Sequence, residues 1–141
     1  METEKATKIT VEATVKSSID KVWKYWTEPK HIMQWNNASE DWYCPKAIND
    51  LHTGGTFVFT MAARDGSMSF DFNGTYDDVQ RNKYIAYTIG DGRKVEITFV
   101  ADGDVIKVIE TFDIENTHAP EMQKGGWQAI LNNFKNYTEK N

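Results

Sequence analysis

The sequence predicts an α+β fold: a curved antiparallel sheet of about six or seven strands, two short helices, and a long C-terminal helix packed over the sheet. Three observations predict it. Segments in which apolar and polar residues alternate fill the middle of the chain, as half-buried strands require. Asp65-Gly66, Asp91-Gly92 and Asp102-Gly103 separate those segments. Tight turns of this kind join antiparallel neighbours, whereas parallel pairing needs long crossovers. Finally, Trp127, Ile130, Leu131, Phe134 and Tyr137 recur at helical spacing between Glu121 and Tyr137, so one stripe of a terminal helix must be buried. The sheet is the only large apolar surface available to it.

Taken in order, the first element is a strand from Thr7 to Lys16, with Ile9, Val11, Ala13 and Val15 on one side and Thr10, Glu12 and Thr14 on the other. Ser17 or Ser18 then caps a helix to about Thr27, with Asp20 in the first turn, where negative charge is favoured. Ile19, Val22, Trp23 and Trp26 share one face of it. Glu28-Pro29 interrupts this helix, and proline at a first helical position starts a second short one through Met33 to Trp35. From Asn36 to Gly55 the pattern is least regular, with an extended segment from Trp42 into a strand near Lys46 to Asn49.

Phe57, Phe59, Met61 and Ala63 form one face of the next strand, and Met68, Phe70, Phe72, Gly74 and Tyr76 the matching face after the turn. Ile85, Tyr87 and Ile89 are followed by Val95, Ile97 and Phe99, then by Ile106, Val108, Glu110 and Phe112. Thr117, or Ala119 before Pro120, starts the last helix. No repeat, low-complexity tract or linker divides the chain, so residues 1–141 read as a single domain.

Composition narrows function by exclusion. The chain has 141 residues, 40% hydrophobic and 26% charged, an ordinary globular balance. Its aromatic share is 13%, which suits walls built from large side chains. A formal charge of −5 with scattered Lys and Arg argues against nucleic acid as a partner. No apolar run approaches a membrane span, Met1 to Lys5 carry no apolar leader segment, and the single Cys44 excludes a disulfide framework. A cytoplasmic protein without membrane insertion is expected. His31, His52 and His118 have no metal-type spacing among themselves or with Cys44, so neither metal nor cofactor is expected. No nucleophile elbow points to Ser-His-Asp or Cys-His catalysis.

At this point a resemblance can be stated. Strand, two short helices, meander and long helix is the order of the START-like, helix-grip superfamily, also called SRPBCC or Bet v-like. Val22-Trp23-Lys24-Tyr25-Trp26-Thr27, Gly54-Gly55-Thr56-Phe57, Gly74-Thr75-Tyr76 and Gly125-Gly126-Trp127-Gln128 resemble the branch named for activator of Hsp ATPase homologues. The resemblance spans essentially the whole chain. It implies a deep apolar cavity between helix and sheet, used in the superfamily for hydrophobic molecules, with a few relatives acting as cyclases or hydrolases.

Within that frame the expected ligand-binding residues are Phe57, Phe59, Met61, Phe70 and Phe72 on the first hairpin, with Tyr87 and Phe99 from the following strands. Glu110, Trp127 and Leu131 complete the set. Met68 joins Met61 as an adaptable wall. Glu110 is the sharpest of these. It shares a face with Ile106, Val108 and Phe112, which sends a carboxylate inward, where it is expected to be paired, protonated or wetted. On the structural reading it has an internal partner such as Tyr76, Tyr87 or the Trp127 indole, or a local bulge turns the side chain out; on the functional one it anchors a ligand or serves as a general acid or base with a raised pKa.

Gly125-Gly126 wants a reason, since each glycine costs about 1 kcal/mol against alanine in a helix. Close approach to the sheet, a soft point in the helix and a frayed start all supply one. Trp35, Trp42 and Tyr43 either cover the cavity mouth or cover the sheet edge. The leading functional reading is non-catalytic binding of a small hydrophobic or amphipathic ligand. The alternatives are a cyclase- or hydrolase-like enzyme using Glu110, and a chaperone or stress-response interaction module. Ligand identity and oligomeric state are not legible.

Overall fold

The structure is a computed structural model and describes residues 8–141; Thr7 of the expected first strand lies outside the described residues. The strands are β1 (Lys8–Val15), β2 (Trp42–Asn49), β3 (Thr56–Ala63), β4 (Ser69–Gln80), β5 (Tyr84–Ile89), β6 (Lys94–Asp102) and β7 (Val105–Asp113). The helices are α1 (Ile19–Thr27), α2 (Pro29–Trp35) and α3 (Pro120–Lys140). All seven strands form one antiparallel sheet in the order β1-β7-β6-β5-β4-β3-β2. The segment carrying α1 and α2 therefore leads from one edge of the sheet to the other. The α3 helix lies against β1 and α2 against β2.

Local chemistry explains the element boundaries. Ser18 caps α1 by accepting the Lys21 amide at 3.2 Å, and Pro29 opens α2 in the position where its missing N–H costs nothing. Ala119 precedes Pro120 at the start of α3. Gly66, Gly92 and Gly103, from the three Asp-Gly pairs, adopt φ of 79°, 94° and 65°, so those hairpins close as their sequences predict. The β4–β5 connection has no glycine. Asn82 takes the left-handed position there with φ 65°, and its side chain donates to Asp20 at 3.0 Å.

Two bulges bend the sheet. One lies on β2 between Tyr43 and Lys46, where Cys44 and Pro45 oppose a single residue of β3; proline has no amide hydrogen to lose from the ladder. The other lies on β4 between Tyr76 and Asp78. Strand faces beyond them follow the alternation: Ile106, Val108, Glu110 and Phe112 are all buried.

The α3 helix is fixed at both ends. Leu131 and Phe134 are fully buried in the core, and the Phe112 and Trp127 rings stack at a centroid distance of 4.0 Å. Near its C-terminus, Tyr137 places its hydroxyl 2.6 Å from His31 Nδ1, and the His31 ring stacks on Tyr25 at 4.0 Å. Three helices meet there.

Gly125 and Gly126 lie inside α3, which runs unbroken from Pro120, so a frayed start does not explain them. Nor does close packing, because a Cβ at either position would meet nothing within 4 Å. The soft-point reading remains. Gly126→Ala is therefore expected to raise stability by about 1 kcal/mol, read as a higher urea midpoint with an unchanged slope.

Candidate functional site

Between the helices and the inner face of the sheet lies a cavity of about 220 Å³. At a liquid share of about 30 Å³ per molecule, such a space matches roughly seven waters. The sheet supplies Phe59 and Met61 from β3, Phe70, Phe72 and Tyr76 from β4, Ile85 and Tyr87 from β5, and Glu110 from β7. The helices supply Trp26, Trp35, Trp127 and Ile130, with Asn36 following α2. Alternation aims the strand residues inward, and helical spacing places Trp127 and Ile130 on one side of α3.

Of the residues expected from sequence, Phe59, Met61, Phe70, Phe72, Tyr87, Glu110 and Trp127 meet around this space. Phe57, Phe99 and Leu131 stand behind it. Phe57 is 1% exposed and stacks under Phe59 at 4.8 Å; Phe99 packs edge-on to Trp23 and Trp26; Leu131 is sealed in the core. Phe70 is 51% exposed while lining the cavity, so it marks the rim, with Trp42 at 6.0 Å beside it. Met68 is not a wall: at 60% exposed it sits in the turn before β4, outside the cavity. Trp35 forms part of the roof, and its indole donates to the Tyr25 carbonyl at 2.9 Å, while Trp42 and Tyr43 begin the edge strand β2.

Trp26, Asn36, Tyr76, Ile85 and Ile130 complete the lining, and all but Asn36 belong to apolar faces visible in the sequence. Their periodicity marks burial, which is the same for a wall and for a filled core.

Glu110 is the polar pole of the site. It is 5% exposed and its backbone neighbours across the sheet, Val11 and Ile97, are buried apolar residues. Burial alone pushes its carboxyl from the ordinary 4.5 up to about 8. No hydrogen-bond partner contributes to that shift among the described residues. Tyr76, one of its expected partners, is committed elsewhere, donating its hydroxyl to Asn49 Oδ1 at 2.6 Å. Burial also drives the Tyr87 hydroxyl well above its ordinary range, and the nearby Glu110 charge adds to the effect. Both Tyr87 and Glu110 thus carry hydrogen-bonding capacity that the other described residues leave unused. No cluster of three or more metal-ligating side chains occurs among the described residues.

The family model for Activator of Hsp90 ATPase homolog 1-like protein matches residues 16–139, nearly the whole chain. The chain belongs to this family. Within the Activator of Hsp90 ATPase homolog 1-like group, the structure is similar to the AHSA1-like protein from Aeromonas hydrophila, with 42% identity, TM-score 0.90, and 95% and 93% of the two chains covered. It is also similar to Chr148 from Cytophaga hutchinsonii, with 62% identity, TM-score 0.83, and coverage of 94% and 92%. CV1439 from Chromobacterium violaceum shares the fold at 20% identity, TM-score 0.85, with 94% and 98% covered. No curated protein matches the chain. The Activator of Hsp90 ATPase homolog 1-like fold commonly holds ligands in a cavity. No helix among the described residues is long and apolar enough to cross a membrane.

Proposed function

We infer that the protein binds a small hydrophobic or amphipathic molecule in the cavity beneath α3 and does not transform it. The observation that carries this reading is an apolar hollow of about 220 Å³ with two polar groups on its wall, Glu110 and Tyr87, that make no side-chain hydrogen bond to other described residues. Burial of apolar ligand surface against Phe59, Phe72 and Trp127 supplies the affinity at roughly 25 cal/mol per Å², less the cost of association. Glu110 and Tyr87 set orientation.

Titration with a neutral polycyclic aromatic such as naphthalene, followed by amide NMR shifts, tests the reading. Residues 57–61 and 127–131 are expected to shift together and saturably. Ile130→Phe, which fills the space from the roof, is expected to weaken binding by about tenfold or more while the fold persists. Unchanged spectra in the wild-type protein at the aqueous solubility limit of naphthalene would remove the basis for a binding function.

A further inference from the structure

The cavity lining is one-sided in charge. Among the described residues, Glu110 from β7 is its single carboxylic acid, and the other titratable groups facing the space are Tyr76 of β4 and Tyr87 of β5. The lining contributed by β3, α1, α2, Asn36 and α3 contains no Lys, Arg or His. An anionic ligand would meet a carboxyl with no cation to neutralise it, and its own charge would lose hydration on entry. A cation meets the opposite situation. Aromatic faces carry negative potential, and Trp26, Phe59, Phe72 and Trp127 surround the same space as the carboxylate. Glu110 is buried, faces the cavity and has no hydrogen-bond partner among the described residues, so a ligand can bring the donor.

We propose that the cavity selects an arylalkyl amine, its ammonium group paired with the Glu110 carboxylate and its flat hydrocarbon held between the aromatic walls. This rests on the cavity being the binding site and adds the chemical class of its occupant. The Tyr87 hydroxyl, near the same carboxylate, supplies a second polar contact. Proton balance gives the proposal a signature. At neutral pH the buried Glu110 carboxyl is mostly protonated, because its pKa stands at about 8. Entry of the ammonium ion therefore expels the carboxyl proton to water, and the carboxylate that remains forms the ion pair. Below that pKa, amine affinity must rise with pH.

Three ligands of nearly equal shape separate the possibilities: naphthylmethylamine, naphthylmethanol and naphthoic acid. Calorimetric titration of the wild-type chain and of Glu110→Gln supplies the readout. In the wild type, the amine is expected to bind about tenfold or more tightly than the alcohol at about pH 8, and the acid more weakly than either. Amine affinity should rise by nearly tenfold per pH unit between about pH 6 and pH 7.5, while alcohol affinity stays flat. Glu110→Gln should bring the amine down to the level of the alcohol on the same variant and abolish the slope. An unchanged far-UV circular dichroism spectrum and a cooperative urea transition show that the variant is folded. An alcohol bound as tightly as the amine by the wild type, or an amine preference that survives Glu110→Gln, would overturn the amine assignment while leaving the cavity as a binding site. Failure of all three ligands to bind would overturn both.

Discussion

The unfolding free energy of the wild-type protein is expected to fall by about 3 kcal/mol between about pH 5.5 and pH 8 relative to Glu110→Gln, which lacks the carboxyl. The sign follows from where the proton is held. In the unfolded chain the carboxyl titrates near 4.5, whereas in the native fold it titrates near 8. Between those values the native state keeps a proton that the unfolded state has released, so each rise in pH favours unfolding. Over the whole interval the effect reaches about 5 kcal/mol at 1.36 kcal/mol per pH unit. The stability benefit of the protonated carboxyl is intact below about pH 4.5 and fully lost above about pH 8. Urea titrations of both proteins across the range, followed by Trp emission, measure the difference. Parallel stability curves would mean that Glu110 is solvated, and the polar pole of the cavity would disappear with that result.

Phe134→Ala is the second large effect, with an expected loss of about 3–5 kcal/mol of stability. The ring is fully buried and meets Trp26 edge-on at 4.8 Å and Trp35 at 5.1 Å, so one side chain of α3 holds both α1 and α2. Its removal leaves a void next to two tryptophans that also line the cavity. Ligand binding should weaken together with stability, since the roof loses its anchor. Thermal unfolding read by circular dichroism, alongside naphthalene binding, tests both expectations. A loss below about 1 kcal/mol would show that the roof can close around the gap.

The sheet and its helices were legible because most strands repeat a period of two and the helices a period near four, and most breaks fall at proline or Asp-Gly. The Asn82 turn was hidden by its composition. Arg81-Asn82-Lys83 carries neither glycine nor proline to mark the turn that the left-handed asparagine makes. The carboxyl of Glu110 was legible because a charge stands alone within an apolar alternation. Wall and core were harder to separate. Phe57 and Phe59 lie two residues apart on one face, yet only Phe59 reaches the cavity. The difference comes from the facing strand: Phe57 pairs with Gly74, and a Cβ there would come within 2.9 Å of the Phe57 ring. The missing side chain lets that ring settle onto the sheet, a three-dimensional fact that no single-strand pattern contains. On α3, rotation makes the corresponding choice, turning Ile130 toward the space and Leu131 into the core.

The bulge at Cys44 and Pro45 also governs how one molecule meets another. An outermost strand with a regular row of free amides invites a second chain to add itself and begin a fibril. On β2 that row is interrupted by the kink and by a residue without an amide hydrogen, and the exposed Lys46 follows directly. At the opposite margin the Gln128 amide occupies the Glu12 carbonyl at 3.0 Å. The distortion that helps curve the sheet around its hollow thus also protects the protein from stacking edge to edge in crowded solution.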